Sequence, residues 1–327
     1  LPHEATQTYY LYAQMANRAG SSAQGVEVYT SKELITWEGP EPGFEVPENF
    51  WARQMGWAPE VHEYRGRYYL VVTLTSHDKL DSESESPIPP PQFRRGTQIL
   101  VSDSPAGPFL PFDNGPDTPA DWMSLDGTLF VEDGVPYMVF CREWAQVHDG
   151  TMELVRLKDD LSGTVGEPQT LFSATEAPWV RNMQDSLPQA KYDGYVTDGP
   201  WFYRTSSGKL QMIWSSFGEE RYAIGVAESR SGKIAGPWDQ LETPLFPANG
   251  GHGMIFETFE GKSMLAFHAP NSRPAERLQL YEVGEENDSL VLLPQKPARD
   301  GTLHMLFSGD HADPSIVRDG EDFYLTY

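Results

Sequence analysis

The stretch GRYYLVVTL at residues 66–74 decides the fold, because its pattern recurs along the chain. A turn is followed by a short apolar run, which is typical of a strand in a hairpin. Related stretches are TYYLYA at 8–13, GVPYMVFCR at 134–142, GKLQMIWSS at 208–216, GKSMLAFHA at 261–269 and EDFYLTY at 321–327. The first five are about 53 to 74 residues apart, which is the length of one four-stranded propeller blade.

A second repeat supports this interpretation. The segments VYTSKELITWEGP (28–40), LVSDSPAGPF (100–109) and AESRSGKIAGPW (227–238) each read as an outer strand that ends in a serine-containing turn. No long 3.6-residue periodicity interrupts them, so few helices are expected. The sequence therefore predicts an all-β, five-bladed β-propeller, with blades at about 1–40, 50–112, 119–172, 195–246 and 250–294.

The two ends of the chain raise a question of domain organisation. Leu1 falls inside a hairpin turn, so residues 1–294 are expected to form a propeller that lacks its first inner strand. Residues 295–311 are expected to be a linker. Residues 312–327 form a hairpin with a DP motif, which either completes blade one or begins a second propeller. EDFYLTY duplicates TYYLYA, and this duplication favours a tandem parent.

Composition excludes several classes of partner. The 48 acidic residues against 24 basic ones give a net charge of −24, which would repel a nucleic-acid backbone. No stretch is apolar for long enough to span a membrane. Cys141 is the only cysteine, so there is neither an intrachain disulfide nor a thiolate metal cluster. The oligomeric state is not predicted.

The starts of the inner strands carry the candidate chemistry, because side chains there converge on a central channel. They read GWAPEVHEY for blade two, MSLDGTLFV for blade three, VTDGPWFYR for blade four and GGHGMIFET for blade five. Asp126 and Asp198 lie at two of these starts, and Glu60 and His252 lie at the others. A pair of carboxyls in a narrow channel is what inverting glycoside hydrolysis requires, one as general acid and one as general base.

These blade starts resemble those of glycoside hydrolase family 43, a family of five-bladed propellers, over residues 1 to about 294. The resemblance implies Asp126, in LDG, as the residue that orients and adjusts pKa. It implies Asp198, in TDGP, as the general acid, although the family usually has glutamate there. Glu60 is the alternative acid. The general base of the family lies in a DP motif, and here Asp313 in HADPSIV is expected to fill that role.

Further residues are expected to bind the sugar. Trp57 and Trp201 flank blade starts and are candidates for stacking on it. Arg273 and Arg277, in HAPNSRPAER, resemble the segment that places an arginine near the sugar in relatives, and Glu60 completes the set. His252 resembles the histidine that helps hold a hydrated calcium on the propeller axis; no cofactor is required for the reaction.

The sequence thus predicts an inverting glycoside hydrolase that cleaves α-L-arabinofuranosyl or β-D-xylosyl linkages of plant polysaccharides or oligosaccharides. The alternative is a non-catalytic carbohydrate-binding propeller, which the Asp-for-Glu change favours. A propeller used as a platform for protein interactions is a third reading. An extracellular or periplasmic location follows only from a polysaccharide substrate.

Overall fold

The computed structural model describes residues 1–15, 24–52, 54–80, 92–272, 275–294, 315–319 and 322–326. Five four-stranded antiparallel sheets form the blades of a ring, and each sheet follows the order of the chain. The predicted five-bladed propeller is therefore confirmed.

The strands of blades one and two follow the first two apolar stretches. Blade one contains β1 (Pro2–His3), β2 (Thr8–Gln14), β3 (Gly25–Ser31) and β4 (Glu38–Glu45). Blade two contains β5 (Gln54–Tyr64), β6 (Arg67–Lys79), β7 (Phe93–Ser102) and β8 (Leu110–Pro111). At the start of the chain, Pro2–His3 pairs with Thr8 and Tyr9 as a two-residue strand.

The other three blades repeat the same meander. Blade three contains β9 (Ser124–Glu132), β10 (Val135–Arg142), β11 (Thr151–Leu157) and β12 (Thr164–Ser173). Blade four contains β13 (Asp198–Arg204), β14 (Leu210–Gly218), β15 (Arg221–Ser229) and β16 (Trp238–Gln240). Blade five contains β17 (Gly251–Glu257), β18 (Ser263–Ala269), β19 (Arg277–Glu286) and β20 (Ser289–Leu292). In blades two to five, the first strand is the inner one.

Elements outside the blades are short. Single helical turns lie at α1 (Trp144–Val147) and α2 (Met183–Ser186), and 3-10 turns lie at Glu4–Thr6 and Ala174–Glu176. No helix of the described residues is long and apolar enough to cross a membrane. Near the end of the chain, β21 (Ser315–Asp319) pairs with β22 (Asp322–Thr326) in a two-stranded sheet.

The hydrophobic core lies between the faces of neighbouring blades. One buried cluster joins blades one and two around Leu70 and Phe109, and another joins blades three and four around Trp214. Blades five and one meet through Tyr9, whose hydroxyl accepts a hydrogen bond from the Phe259 N–H (3.0 Å). Burial of apolar side chains between sheets fixes the angle of each blade, and therefore the place where the inner strands begin.

Candidate active site

An extra residue near the start of the inner strand in blades two to five shapes the centre of the ring. In β5, β9, β13 and β17, two residues oppose one residue of the partner strand. The first residue of each bulge is left-handed, with φ of 47° at Ala58, 56° at Asp126, 51° at Gly199 and 53° at His252. A bulge interrupts the ladder and re-aims a side chain. These four residues are structural equivalents, and we call the end of the ring where they lie the bulge end.

Asp126 of blade three contacts three other blades at the bulge end. Its backbone N–H donates to Oγ1 of Thr73 in blade two (2.9 Å). Its Oδ2 accepts from the N–H of Gly199 in blade four (3.2 Å) and lies 3.5 Å from Nδ1 of His252 in blade five. Only 8% of Asp126 is exposed. The carboxyl is therefore held in one orientation by contacts from the blades around it.

Burial raises the pKa of the Asp126 carboxyl from its usual 3.8 to about 7. The Gly199 N–H opposes this shift, because a donated hydrogen bond favours the ionised form. The negative charges of Glu60 and Glu143 raise the pKa further, and the positive charge of Arg95 lowers it. Asp126 therefore holds its proton at a pH where an exposed aspartate would be ionised.

Asp198 is the second carboxyl of the site and begins β13, one residue before Gly199. Its Oδ2 accepts a hydrogen bond from the Tyr222 hydroxyl (2.7 Å). Burial, followed by the negative charge of Asp126, raises the pKa of Asp198 to about 7, while the Tyr222 hydrogen bond and the charge of His252 lower it. Part of the residue remains accessible, as a proton donor to a substrate must be.

Gly199 is required at its position by the packing of the site. A Cβ on this residue would lie 2.9 Å from Cγ of the His252 ring, and the left-handed φ also favours glycine. The backbone N–H of His252 donates to Oγ of Ser215 (2.8 Å), which holds the His252 backbone in place, and its Cα would itself lie 3.1 Å from the added Cβ. In the TDG sequence, the glycine therefore donates the hydrogen bond to Asp126, and the aspartate before it is Asp198.

Glu60 lies further along its strand than its blade-start motif suggested, and its roles as alternative acid and sugar-binding residue stay predictions. It lies two residues beyond Ala58, so it corresponds to Trp201 of blade four and not to Asp126 or Asp198. The error arises because the bulge, and not the carboxylate, sets the register. Oε2 of Glu60 lies 3.1 Å from Nε2 of His62, and the His62 ring stacks on Trp201 across the channel with centroids 5.2 Å apart.

The comparisons with known proteins agree with this geometry. The family model "Glycosyl hydrolases family 43" matches residues 3–287. The chain belongs to glycosyl hydrolase family 43. It is therefore a glycoside hydrolase with a carbohydrate substrate, and the predicted family and enzyme class are confirmed.

Three relatives illustrate the similarity. The solved endo-arabinase from Bacteroides thetaiotaomicron VPI-5482 is 40% identical, with 88% of this chain and 93% of that chain covered and a TM-score of 0.76. The extracellular exo-α-(1→5)-L-arabinofuranosidase ArbA of Cellvibrio japonicus is 23% identical, with 80% of this chain and 75% of the relative covered. The α-L-arabinanase of Cellvibrio cellulosa, solved with arabinohexaose, shares the fold at 16% identity, a TM-score of 0.57 and coverage of 88% and 91%.

The remaining predicted site residues of this family 43 chain are placed as follows. One face of Trp57 is covered by the Arg95 guanidinium, whose carbon lies 4.6 Å from the ring centroid. Arg277 begins β19 at the bulge end of blade five, and its Nη1 donates to the carbonyl of Glu276 (2.8 Å). Arg273 and Asp313 lie outside the described residues, so their roles stay predictions.

The predicted calcium has no site built from protein side chains in the described part of the chain. There, no three His, Cys, Asp or Glu side chains converge as metal ligands. Calcium takes six to eight oxygen ligands, whereas His252 offers a ring nitrogen that faces Asp126. Water would therefore have to supply most ligands of a calcium ion beside His252, so the hydrated calcium stays a prediction, and no step below depends on the ion.

Sequence reasoning missed two contributors to the site. Tyr222 lies within an apolar strand and carries no motif, yet it is the hydrogen-bond donor to Asp198. Glu143, in CREW after β10, pairs with Arg95 of blade two. A charged Arg-Glu pair that directly follows an apolar strand is the one signal that could have marked Glu143.

The raised pKa of Asp198 predicts a pH-dependent change in stability. A carboxyl whose pKa is raised by folding contributes stability that is present below about 3.8 and is lost as the pH rises through about 7. We expect Asp198→Asn to be more stable than the wild type at pH 8 by at least about 1 kcal/mol, the value of roughly one pKa unit, and similar to it at pH 5. Urea unfolding at the two pH values measures the difference.

The matched control for this prediction is Asp239→Asn. Asp239 is a surface carboxylate, and its hydrogen bond with Arg230 lowers its pKa. This control should gain no stability at pH 8. A stability difference for Asp198→Asn that is the same at both pH values would contradict the prediction.

Proposed function

We propose that this family 43 enzyme cleaves α-L-arabinofuranosyl linkages in arabinose-containing polysaccharides or oligosaccharides, with inversion at the anomeric carbon. The observation that carries the proposal is the pair of carboxyls from neighbouring blades at the bulge end of the ring, Asp126 buried and Asp198 partly accessible, both with a raised pKa. The endo-arabinase and the exo-arabinofuranosidase among its relatives support the choice of sugar. β-D-Xylosyl linkages, which the sequence also predicted, are the comparison substrate.

Asp198 is proposed as the general acid. Its raised pKa keeps the proton on the carboxyl near neutral pH, and its accessible part lets that proton reach the glycosidic oxygen. When the proton leaves, the Tyr222 hydroxyl at 2.7 Å stabilises the carboxylate that remains. The same hydrogen bond exists before and after transfer, so no reorganisation is needed.

Asp126 is proposed as the orienting residue. Its Oδ2 accepts from the backbone of Gly199, the neighbour of Asp198, and so fixes the start of β13. Its negative charge, when present, raises the pKa of Asp198. Asp126 thereby links the position of the acid to its protonation state without touching the scissile bond.

The general base must be ionised in order to take a proton from the attacking water. Asp126 and Asp198 both hold their protons to about pH 7, so neither suits this role. We propose Asp313, of the DP motif, as the base. Among the described residues, Glu60 is the alternative candidate for the base: like Glu143 it is buried and its charge acts on Asp126, but Glu143 is paired with Arg95.

The stereochemistry of the product tests this function. We expect 4-nitrophenyl α-L-arabinofuranoside and debranched arabinan to be cleaved, with the β anomer of the released sugar appearing first in the proton NMR spectrum. 4-Nitrophenyl β-D-xylopyranoside should be cleaved more slowly. First appearance of the α anomer would overturn inversion, and failure to cleave either arabinoside would overturn the substrate.

A further inference from the structure

A charged pair outside the catalytic carboxyls lies at the same end of the ring. Glu143 follows β10, and its N–H donates to the Met123 carbonyl next to the start of β9 (2.8 Å). Its Oε2 contacts Nη1 of Arg95, which extends from β7 of blade two. The two side chains are only 11% and 13% exposed. The pair therefore bridges two blades at the wall of the active site.

The guanidinium of Arg95 is fixed on two further sides. Its Nε donates to Oγ1 of Thr75 (3.0 Å), and its central carbon lies over the Trp57 ring, 4.6 Å from the ring centroid. A guanidinium held over an indole has both a cation–π contact and a restricted orientation. These contacts hold the Arg95 side chain in one orientation, and the ion pair with Arg95 holds the Glu143 side chain beside it.

Each partner keeps one polar atom unused. Among the residues that the structure describes, neither Oε1 of Glu143 nor Nη2 of Arg95 has a hydrogen-bond partner. Neither atom is among the fully buried polar side-chain atoms that lack a hydrogen-bond partner, so both have some exposure to solvent. A carboxylate acceptor and a guanidinium donor therefore lie side by side, and both are open to a ligand.

The pair also lies close to the reacting groups. The negative charge of Glu143 raises the pKa of both Asp126 and Asp198, although these carboxyls belong to different blades. A buried ion pair contributes little net stability compared with apolar packing, because both charges lose their hydration. Its position beside the acid fits a role in binding better than a role in folding.

We propose that Glu143 and Arg95 bind two neighbouring hydroxyls of the sugar next to the scissile bond. One hydroxyl donates to Oε1 of Glu143, and the other accepts from Nη2 of Arg95. Vicinal hydroxyls match this acceptor–donor pair, and hydrogen bonds to charged groups discriminate strongly against a ligand that lacks the hydroxyl. The proposal rests on the arabinofuranosidase function above and makes the pair a determinant of its specificity.

The test compares variants on a substrate and on its deoxy analogues. Glu143→Gln and Arg95→Lys are assayed on 4-nitrophenyl α-L-arabinofuranoside and on its 2-deoxy and 3-deoxy forms. Each variant should lower kcat/KM on the full sugar by about 10- to 100-fold, the value of one hydrogen bond to a charged group. On the analogue that lacks the contacted hydroxyl, the same variant should lower kcat/KM by less than about threefold.

Glu153→Gln is the matched control. Glu153 is a buried glutamate of the same blade, hydrogen-bonded to Thr151 and Thr170, and burial raises its pKa. It should change kcat/KM by less than about twofold on every substrate. Arg95→Lys keeps the charge beside Glu143, so it still reports on the pair if Glu143→Gln does not fold.

The outcomes separate this inference from the function on which it rests. A wild-type enzyme that cleaves no arabinofuranoside overturns the function. If the wild type cleaves the arabinofuranoside but each variant lowers kcat/KM by the same factor on all three substrates, the hydroxyl contact is overturned. The pair then has a structural role only. Losses confined to the hydroxylated sugar support the proposal.

Discussion

Asp198→Asn should lower kcat on arabinan oligosaccharides by about a hundredfold to ten-thousandfold, because the alkoxide leaving group then departs without a proton. Asparagine fills nearly the same volume and can still accept from the Tyr222 hydroxyl, which donates to Asp198 at 2.7 Å. Substrate binding should therefore change little. The measurement is steady-state kinetics on arabinotriose, together with unfolding curves that show the variant is folded.

The leaving group gives this prediction a second, sharper readout. 4-Nitrophenolate needs little protonation, so Asp198→Asn should lose far less activity on 4-nitrophenyl α-L-arabinofuranoside than on arabinotriose. Asp239→Asn, on the surface of blade four, should lose none on either. Equal losses of Asp198→Asn on the two substrates would assign Asp198 to binding or folding, and Glu60→Gln would then be examined as the loss of the acid.

Asp313→Asn should have an effect of comparable size, about a hundredfold to ten-thousandfold, if the DP motif supplies the general base. The loss should fall equally on the aryl and the oligosaccharide substrates, because activation of water does not depend on the leaving group. Azide needs no deprotonation, so it should restore turnover and yield a glycosyl azide of inverted configuration. Kinetics with and without azide measure both effects.

Two further variants make this prediction specific. Asp310→Asn removes a carboxylate three residues earlier in the same segment, GDHADP, and should leave activity unchanged. Glu60→Gln removes the carboxylate of β5 that is the alternative candidate for the general base. Azide rescue of Glu60→Gln but not of Asp313→Asn would move the role of base to blade two.

The fold could be predicted because each blade repeats the same apolar hairpin at a regular interval. GRYYLVVTL became β6, and the corresponding stretches became β2, β10, β14 and β18. The two-residue strand of blade one could not be predicted. Pro2 and His3 carry no apolar alternation, and they form a strand only because their backbone pairs with Thr8 and Tyr9.

The site was predictable where a side chain lies at the start of an inner strand. Asp126 and Asp198 were both found in this way, and they lie together through Gly199. The error over Glu60 has a physical cause: alanine gives no sign of left-handed backbone, so the bulge at Ala58 was invisible. The Arg95–Glu143 pair joins residues 48 positions apart in different blades, and such a contact leaves no local pattern.

The bulges give the ring four structurally equivalent positions. Each inserted residue lies outside the regular register of its sheet, so its side chain can change with little effect on strand pairing. In this chain the four positions hold a methyl group at Ala58, a carboxyl at Asp126, no side chain at Gly199 and an imidazole at His252. Asp126, Gly199 and His252 contact one another, so a change at one of them disturbs the others. Ala58 is the position where a new functional group could be added to the channel without removing an existing one.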